Sequence, residues 1–290
     1  MIAIFAEFLA IPAEKIGYAG LKDKHATTSQ YLSVETKYEN LLKKFQHKQI
    51  KILSTTRHSH SIRMGDLAGN RFSINLYEVD NIDAGKIEKI ARKIAKTGLP
   101  NYFGYQRFGR DADSISQANE MIKGELFVED AKLKNFLISI YQSYHFNEWL
   151  RERVLLSKEK DSAELVLLSG DVYQLSDKKL TIPNLVPNKD FPMKGAVVTG
   201  LLCGRDTIRA KGAAREIEAK YDDEFLQEKG QRREALIYPS DIDCKYIKKE
   251  TMLNLSFTLP KGSYATVFLE SIAGRNYNAK DVKMKEKKRK

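Results

Sequence analysis

The sequence predicts an α+β fold in which one domain is interrupted by an inserted module. Helical and strand-like hydrophobic periodicities alternate along the 290 residues, a length that suffices for one large domain or two smaller ones. The pattern changes at Leu165, where short apolar runs separated by turns replace long helical stretches. No internal repeat is visible. A second module inserted into the first domain accounts for this change.

The first part of the chain reads as short elements joined by polar turns. Met1 opens an apolar helix, and its charge pattern is not that of a signal peptide. In chain order the patterns predict a helix at 1–11, strands at 16–21 and 30–34, a helix at 38–45, and strands at 50–53 and 72–79.

The next helix has clear end signals, with Asp83 as its predicted N-cap and Gly98 followed by Pro100 at its end. Apolar residues recur at helical spacing between them. Further along, the patterns predict helices at 114–122 and 128–155, strands within 165–202, a charged helix at 214–228, strands at 235–238 and 253–259, and a last helix at 265–272.

The chain carries a net charge of +11, which suits a polyanionic partner. The last eleven residues hold seven cations and two anions, and the rest of the chain remains basic without them. We expect this tail to be solvated and disordered.

Several classes of protein are disfavoured. No apolar stretch is long enough for a membrane helix, and the sequence lacks the motifs of P-loop ATPases, dinucleotide oxidoreductases, zinc proteases and serine hydrolases. Cys203 and Cys244 lack metal-ligand spacing and are expected to be reduced thiols in the cytoplasm. His58 and His60 are read as a solvated polar pair, so no metal site is expected.

The turn GYAGLKDKHATTSQ contains the first candidate functional residue. Asp23 lies there between Lys22 and Lys24. Flanking cations favour the ionised carboxylate that a nucleophile requires. By itself, the pattern also fits a turn-forming aspartate with solvated lysines.

The loop NYFGYQRFG is the second candidate. It offers four aromatic rings for stacking, amides at Asn101 and Gln106 that could read a base edge, and a cation at Arg107, with a second cation, Arg110, directly after it. Such interleaving is typical of sites that hold an unstacked base. An aromatic corner of the core would have a similar composition.

Together these two segments resemble the TruD family of tRNA pseudouridine synthases. Three further segments, RHSHSIRMGDLAGNRFSINL, VVTGLLCG and LPKGSYATVFLESI, are similar to other parts of the family in the same order, and the resemblance spans about residues 5–273. It implies a pseudouridine-synthase-like catalytic domain with a mixed or antiparallel sheet, formed by 1–126 and 239–275. It also implies an inserted TRUD-type α/β module at 127–238, leaving 276–290 as the basic tail.

The resemblance also assigns roles to residues. Asp23 matches the nucleophilic aspartate, Asn101 and Phe103 match residues that hold the target uracil, and Tyr264 falls at a substrate-contacting aromatic. The implied reaction is isomerisation of the uridine at position 13 of tRNA, in the D arm, without a cofactor. tRNA is the implied partner, and no protein partner is implied.

The family carries a preceding segment that supplies a lysine thought to pair with the catalytic aspartate. Met1 matches a position within the helix that follows this segment. The cation that faces Asp23 is therefore expected to be Lys22, Lys24 or Arg107, with Arg107 favoured.

Two other functions remain open. One is an RNA-binding remnant without catalysis, and the other is a hydrolase that uses a second carboxylate, for which Asp111 and Asp113 are nearest, although a helix start explains them better.

Overall fold

A computed structural model describes residues 1–23, 26–109, 113–162, 164–183 and 195–274. The chain forms two compact units, Met1–Asn70 and Arg71–Lys290. The predicted tail at 276–290 lies outside the described residues. None of the helices in the described part is long and apolar enough to cross a membrane.

The N-terminal unit is built around a small core of Phe5, Ala6 and Ile16. Its elements are helix α1 (Ile2–Leu9), a 3-10 turn (Ala13–Lys15), strand β1 (Gly17–Tyr18), strand β2 (Leu32–Ser33), a second 3-10 turn (Thr36–Tyr38) and helix α2 (Glu39–Leu42). Strands β1 and β2 pair antiparallel. The predicted helix at 1–11 is confirmed.

Other predictions for this unit were too long or wrong. The strands predicted at 16–21 and 30–34 shorten to two residues each, and the helix predicted at 38–45 ends at Leu42. No strand forms at 50–53, because Ile50 and Ile52 pack against the small core as irregular backbone instead of pairing with a neighbour.

Within the described residues, the second unit contains three sheets and most of the helices. Its first elements are β3 (Gly69–Leu76), which begins at the boundary, α3 (Asn81–Thr97), β4 (Leu99–Pro100), a 3-10 turn (Tyr105–Phe108), α4 (Asp113–Ile122) and α5 (Ala131–Glu159). There follow β5 (Val172–Gln174), β6 (Leu180–Thr181), β7 (Val197–Leu202), α6 (Gly212–Glu218), a 3-10 turn (Ala219–Tyr221), β8 (Gln231–Glu234), β9 (Leu236–Ile237), β10 (Ser240–Ile247), β11 (Met252–Pro260) and α7 (Ala265–Ile272).

The sheets have the strand orders β10-β11-β3, β6-β5-β7-β8 and β4-β9. The pairs β10–β11, β4–β9, β5–β6, β5–β7 and β7–β8 are all antiparallel. A large core that includes Phe146, Trp149, Phe257 and Phe268 connects the sheets to α5 and α7. This mixture of helices and antiparallel sheets confirms the α+β class. The four-stranded sheet and α5 fall within 127–238, and the assignment of that range as an insertion stays a prediction.

Some helix and strand boundaries needed correction. The N-cap of α3 is Asp80 and not Asp83, since the Asp80 carboxylate accepts a hydrogen bond from the Asp83 backbone N–H at 2.7 Å. The charged helix predicted at 214–228 ends at Glu218, and the Asp222 carboxylate beyond it accepts hydrogen bonds from Arg209 and Arg215. The strand predicted at 235–238 covers only Leu236–Ile237, with β8 as a separate strand before it.

Candidate active site

Asp23 lies in the loop after β1, where its side chain is exposed. Two contacts hold this loop within the N-terminal unit. The Lys22 ammonium donates to the Asn70 side-chain oxygen at 2.5 Å, and the Gly65 N–H donates to the Ala19 carbonyl at 2.8 Å. Lys24 lies outside the described residues. No ion pair to Asp23 occurs in the described ranges, so the loop presents a solvent-facing carboxylate.

In the second unit, the NYF loop begins where β4 ends. The backbone N–H of Asn101 donates to the Ala235 carbonyl at 2.9 Å, and its side-chain N–H donates to the Glu234 carbonyl at 3.0 Å. Asn101 is only 6% exposed. Its amide therefore ties the loop to the end of β8 instead of projecting into solvent.

Arg233, on β8, contacts the loop most closely and was not found from the sequence. Its Nε donates to the Asn101 carbonyl at 3.0 Å, and its Nη2 donates to the Asn101 Oδ1 at 2.6 Å and to the Gly262 carbonyl at 2.9 Å. Its guanidinium carbon lies 4.0 Å from the centroid of the Phe103 ring. Burial lowers the pKa of Arg233 to about 10, so it remains a cation at neutral pH.

Phe103 is enclosed by protein on several sides. Its ring makes edge contacts with Phe146 and Tyr264, at centroid distances of 5.7 and 6.0 Å, and it is 9% exposed. Its backbone is held by Asn147 of α5 through two hydrogen bonds. Little of the Phe103 ring is accessible for stacking on a base, whereas Tyr264 is only half-buried.

Arg107 is a second cation in the same cluster. Its Nη2 donates to the Ser139 hydroxyl at 2.7 Å, and its guanidinium carbon lies 5.9 Å from the Phe103 centroid and 5.8 Å from that of Phe136. Its Nε is buried without an acceptor. Burial raises the pKa of Tyr264, and the charges of Arg107 and Arg233 oppose this shift.

Gly104 is needed for Tyr264 to pack on the loop. A Cβ at this position would lie 2.8 Å from Oγ1 of Thr266, 2.8 Å from Oε1 of Gln106 and 3.0 Å from a ring carbon of Tyr264. The Thr266 hydroxyl also donates to Gln106 at 2.9 Å, so that amide is engaged within the protein.

The structure therefore gathers Asn101, Phe103, Arg107 and Tyr264 into one cluster, with Arg233 at its centre. We call these five residues the arginine cluster. Tyr102 and Phe108 of the same loop are buried core residues, while Tyr105 is exposed; Arg110 and Asp111 lie outside the described residues. In the described part of the chain, no group of three or more candidate ligands could hold a metal ion.

Comparisons with known proteins agree on one family. The model of the family described as tRNA pseudouridine synthase D (TruD) matches residues 1–131 and 115–272. Proteins named tRNA pseudouridine synthase D are 40% identical in Sulfurimonas denitrificans and 41% identical in Nitratiruptor sp., each over 95% of this chain and 84% of the relative. One from Helicobacter pylori (strain J99) is 35% identical over 94% of this chain and 82% of the relative.

A solved structure from Methanosarcina mazei, named as a tRNA pseudouridine synthase D (TruD), has a similar fold. It matches with a TM-score of 0.69 at 23% identity, over 95% of this chain and 84% of that one. At this identity the comparison bears on the fold alone.

Proposed function

Since the chain belongs to the tRNA pseudouridine synthase D (TruD) family, we propose that it isomerises the uridine at position 13 of tRNA, in the D arm, to pseudouridine. The residues matched by the family model run through both units, from Met1 to Ile272. Identities of about 40% over almost the whole chain support a common reaction.

The proposed nucleophile is Asp23. The reaction breaks the bond from C1′ to N1, turns the uracil and joins C1′ to C5, so that all atoms of the uridine stay in the product and no electrons are exchanged with a cofactor. The carboxylate attacks C1′, adds to C6 of the base or assists a glycal intermediate. Its exposure in a loop leaves it accessible to an incoming nucleotide.

A stacked uracil is inaccessible, so the enzyme must extrude it at a cost of a few kcal/mol. Stacking on one aromatic ring stabilises the extruded base by about 1–3 kcal/mol. Tyr264 is the better candidate for this ring, because Phe103 is largely covered. Asn101 and Phe103, which match residues that hold the uracil in the family, are proposed to line this site.

Ionised Asp23 needs a cation once the substrate excludes water. Lys22, Lys24 and Arg107 are the proposed sources of that charge. Lys22 already donates to Asn70 and Lys24 lies outside the described residues, and Arg107 stays the favoured candidate, as proposed from the sequence. Arg107 has spare donor capacity, because only its Nη2 has an acceptor in the described residues.

The decisive experiment compares Asp23→Asn with wild type. We expect the variant to form no pseudouridine in tRNA, measured by mass spectrometry, while its affinity for tRNA in filter binding stays within a few-fold. Glu14→Gln, an exposed carboxylate of the same unit, is the matched control and should retain turnover. A wild-type yield from Asp23→Asn would refute the assignment.

The same assay tests the second candidate function, a non-catalytic RNA-binding protein. Wild-type protein that binds tRNA but forms no pseudouridine would favour it. Binding itself should weaken steeply with salt, because phosphate contacts release counterions. The net charge of +11 supports this expectation.

A further inference from the structure

Arg233 is a largely buried cation that forms no ion pair with a carboxylate within the described residues, and the charge of Glu234 only partly opposes the lowering of its pKa by burial. Its three hydrogen-bond acceptors are the carbonyls of Asn101 and Gly262 and the side-chain amide of Asn101, all of them neutral. The adjacent carboxyl of Glu234 accepts a hydrogen bond from Gln174 at 2.9 Å and forms no ion pair with Arg233 in the described part of the chain.

One nitrogen of Arg233 remains available. Nη1 has no acceptor among the described residues, and it is not one of the buried side-chain atoms that lack a partner, so it reaches solvent. The other two nitrogens fix the plane of the guanidinium, and Phe103 covers one face. The side chain is thus held in place with one donor edge directed away from its protein acceptors.

A second uncompensated charge lies close by. Arg107 forms no ion pair in the described part of the chain, and its charge disfavours the protonated form of Arg233. The guanidinium carbons of Arg107 and Arg233 lie 5.9 and 4.0 Å from the centroid of the Phe103 ring, and partial burial strengthens the repulsion between such like charges. An anion bound beside these side chains would offset this repulsion, since guanidinium groups match the geometry of phosphate oxygens.

We propose that Arg233 is a substrate-binding residue whose Nη1 donates to a phosphate oxygen of the RNA next to the target uridine, with Arg107 as the second cation of this subsite. The proposal rests on the proposed function above. It also makes Asn101 a positioning residue. Its side-chain Nδ2 donates to the Glu234 carbonyl, and its Oδ1 accepts from Arg233 and so orients that side chain.

Salt-dependent binding of unfractionated tRNA tests the subsite. Each phosphate contact contributes roughly one unit to the slope of log affinity against log salt concentration. Arg233→Gln should therefore lower the magnitude of this slope by about 1. The variant should also bind about ten-fold more weakly at low salt. Arg233→Lys keeps the charge and should keep the slope. Arg92→Gln is the matched control, because Glu88 already neutralises Arg92 on α3.

An unchanged slope in folded Arg233→Gln would overturn the proposal. Weaker binding without a change of slope would overturn it as well, because it would indicate contact with a neutral base oxygen. Thermal melts report whether the variant folds. If it does not fold, Arg107→Gln should show the same decrease in the slope of log affinity against log salt. Wild-type protein provides a further test, because it should bind uridine 5′-monophosphate more tightly than uridine when each competes with tRNA. Equal affinity for these two ligands would refute the subsite.

The outcome is separable from that of the proposed function. If wild-type protein forms no pseudouridine, the proposed function fails whatever the slopes are. If wild-type protein is active and the Arg233→Gln slope is that of wild type, only the subsite fails.

Discussion

The side-chain amide of Asn147 forms one hydrogen bond in each direction with the backbone of Phe103. The Phe103 N–H donates to Oδ1 at 2.8 Å, and Nδ2 donates to the Phe103 carbonyl at 3.0 Å. Asn147 is buried on α5, where the amide replaces the strand partner that the loop backbone lacks. This pair fixes the ring that Arg233 covers, so the long helix sets the geometry of the arginine cluster.

Asn147→Ala should therefore destabilise the protein and impair turnover. It leaves two buried backbone groups without partners, and the expected loss in the free energy of unfolding is about 2–4 kcal/mol. Urea denaturation measures this loss. Pseudouridine yield should fall more than tRNA affinity, because phosphate contacts elsewhere are kept. Gln117→Ala, at an exposed position of α4, is the control. Equal stability of the two variants would contradict the role of Asn147.

The sequence predicted elements well where local signals determine them. Helix α7 occupies the predicted range, Ala265–Ile272, and α3 ends at Thr97 with Gly98 as its C-cap, whose φ of 90° is costly for other residues. Strand β10 was missed because Asp241, Asp243 and Lys245 make it too polar to read as a strand. Pairing with β11, an apolar and largely buried strand, fixes its conformation.

The same distinction applies to the site. Asn101, Phe103 and Arg107 share one short motif, so composition alone could nominate them. Arg233 could not be found in this way, because its hydrogen bonds to Asn101 span 132 residues and depend on how β8 meets β4 and β9. Its neighbour Arg232 looks identical in sequence but forms a buried ion pair with Glu218. Only the fold distinguishes the two arginines.

Gly200 on β7 allows the strand to approach α5. A Cβ there would lie 2.2 and 2.4 Å from ring carbons of Trp149 and 2.8 Å from one of Phe146, and both rings are buried in the core. Gly200→Ala should lower the free energy of unfolding by about 1–3 kcal/mol or more, since the rings have no room to move. Chemical denaturation measures this.

Gly85→Ala provides the opposite case within the same unit. Gly85 lies inside α3, and a Cβ there would meet nothing within 4 Å. Alanine should stabilise the protein by about 0.5–1 kcal/mol, because glycine loses more backbone entropy in a helix. If Gly200→Ala fails to destabilise the protein while Gly85→Ala stabilises it, the packing of β7 on Trp149 is not as described.

The two cysteines should differ in reactivity. Both are free thiols; Cys203 is fully buried, whereas Cys244 is partly exposed. Burial raises the pKa of Cys203 to about 12 and also raises that of Cys244. At pH 8 a disulfide reagent should label Cys244 slowly and Cys203 only as fast as the protein unfolds, because the thiolate is the reactive form. Cys244→Ser should leave one protected thiol, and rapid labelling of that variant would contradict the burial of Cys203.

His145 on α5 should make stability depend on pH. Burial lowers its pKa, its Nε2 is buried without a partner, and the Tyr141 ring lies 4.4 Å from its own. Below a pH of about 6.5, His145 of the unfolded chain gains a proton that the folded chain does not. The free energy of unfolding therefore decreases as the pH is lowered, until the pH reaches the lower pKa of His145 in the folded chain. Asp223 and Glu148 only partly oppose this shift.

His145→Phe should remove this part of the pH dependence while keeping an aromatic ring in place. Melting temperatures of both proteins at pH 7.5 and 5.5 measure it, and wild type should lose more stability than the variant over that interval. Tyr144→Phe alters the adjacent position without removing a group that titrates there, so it should follow wild type. Other groups titrate in both proteins and cancel in the difference. Equal losses in wild type and His145→Phe would mean that His145 is protonated as readily in the folded chain as in the unfolded one.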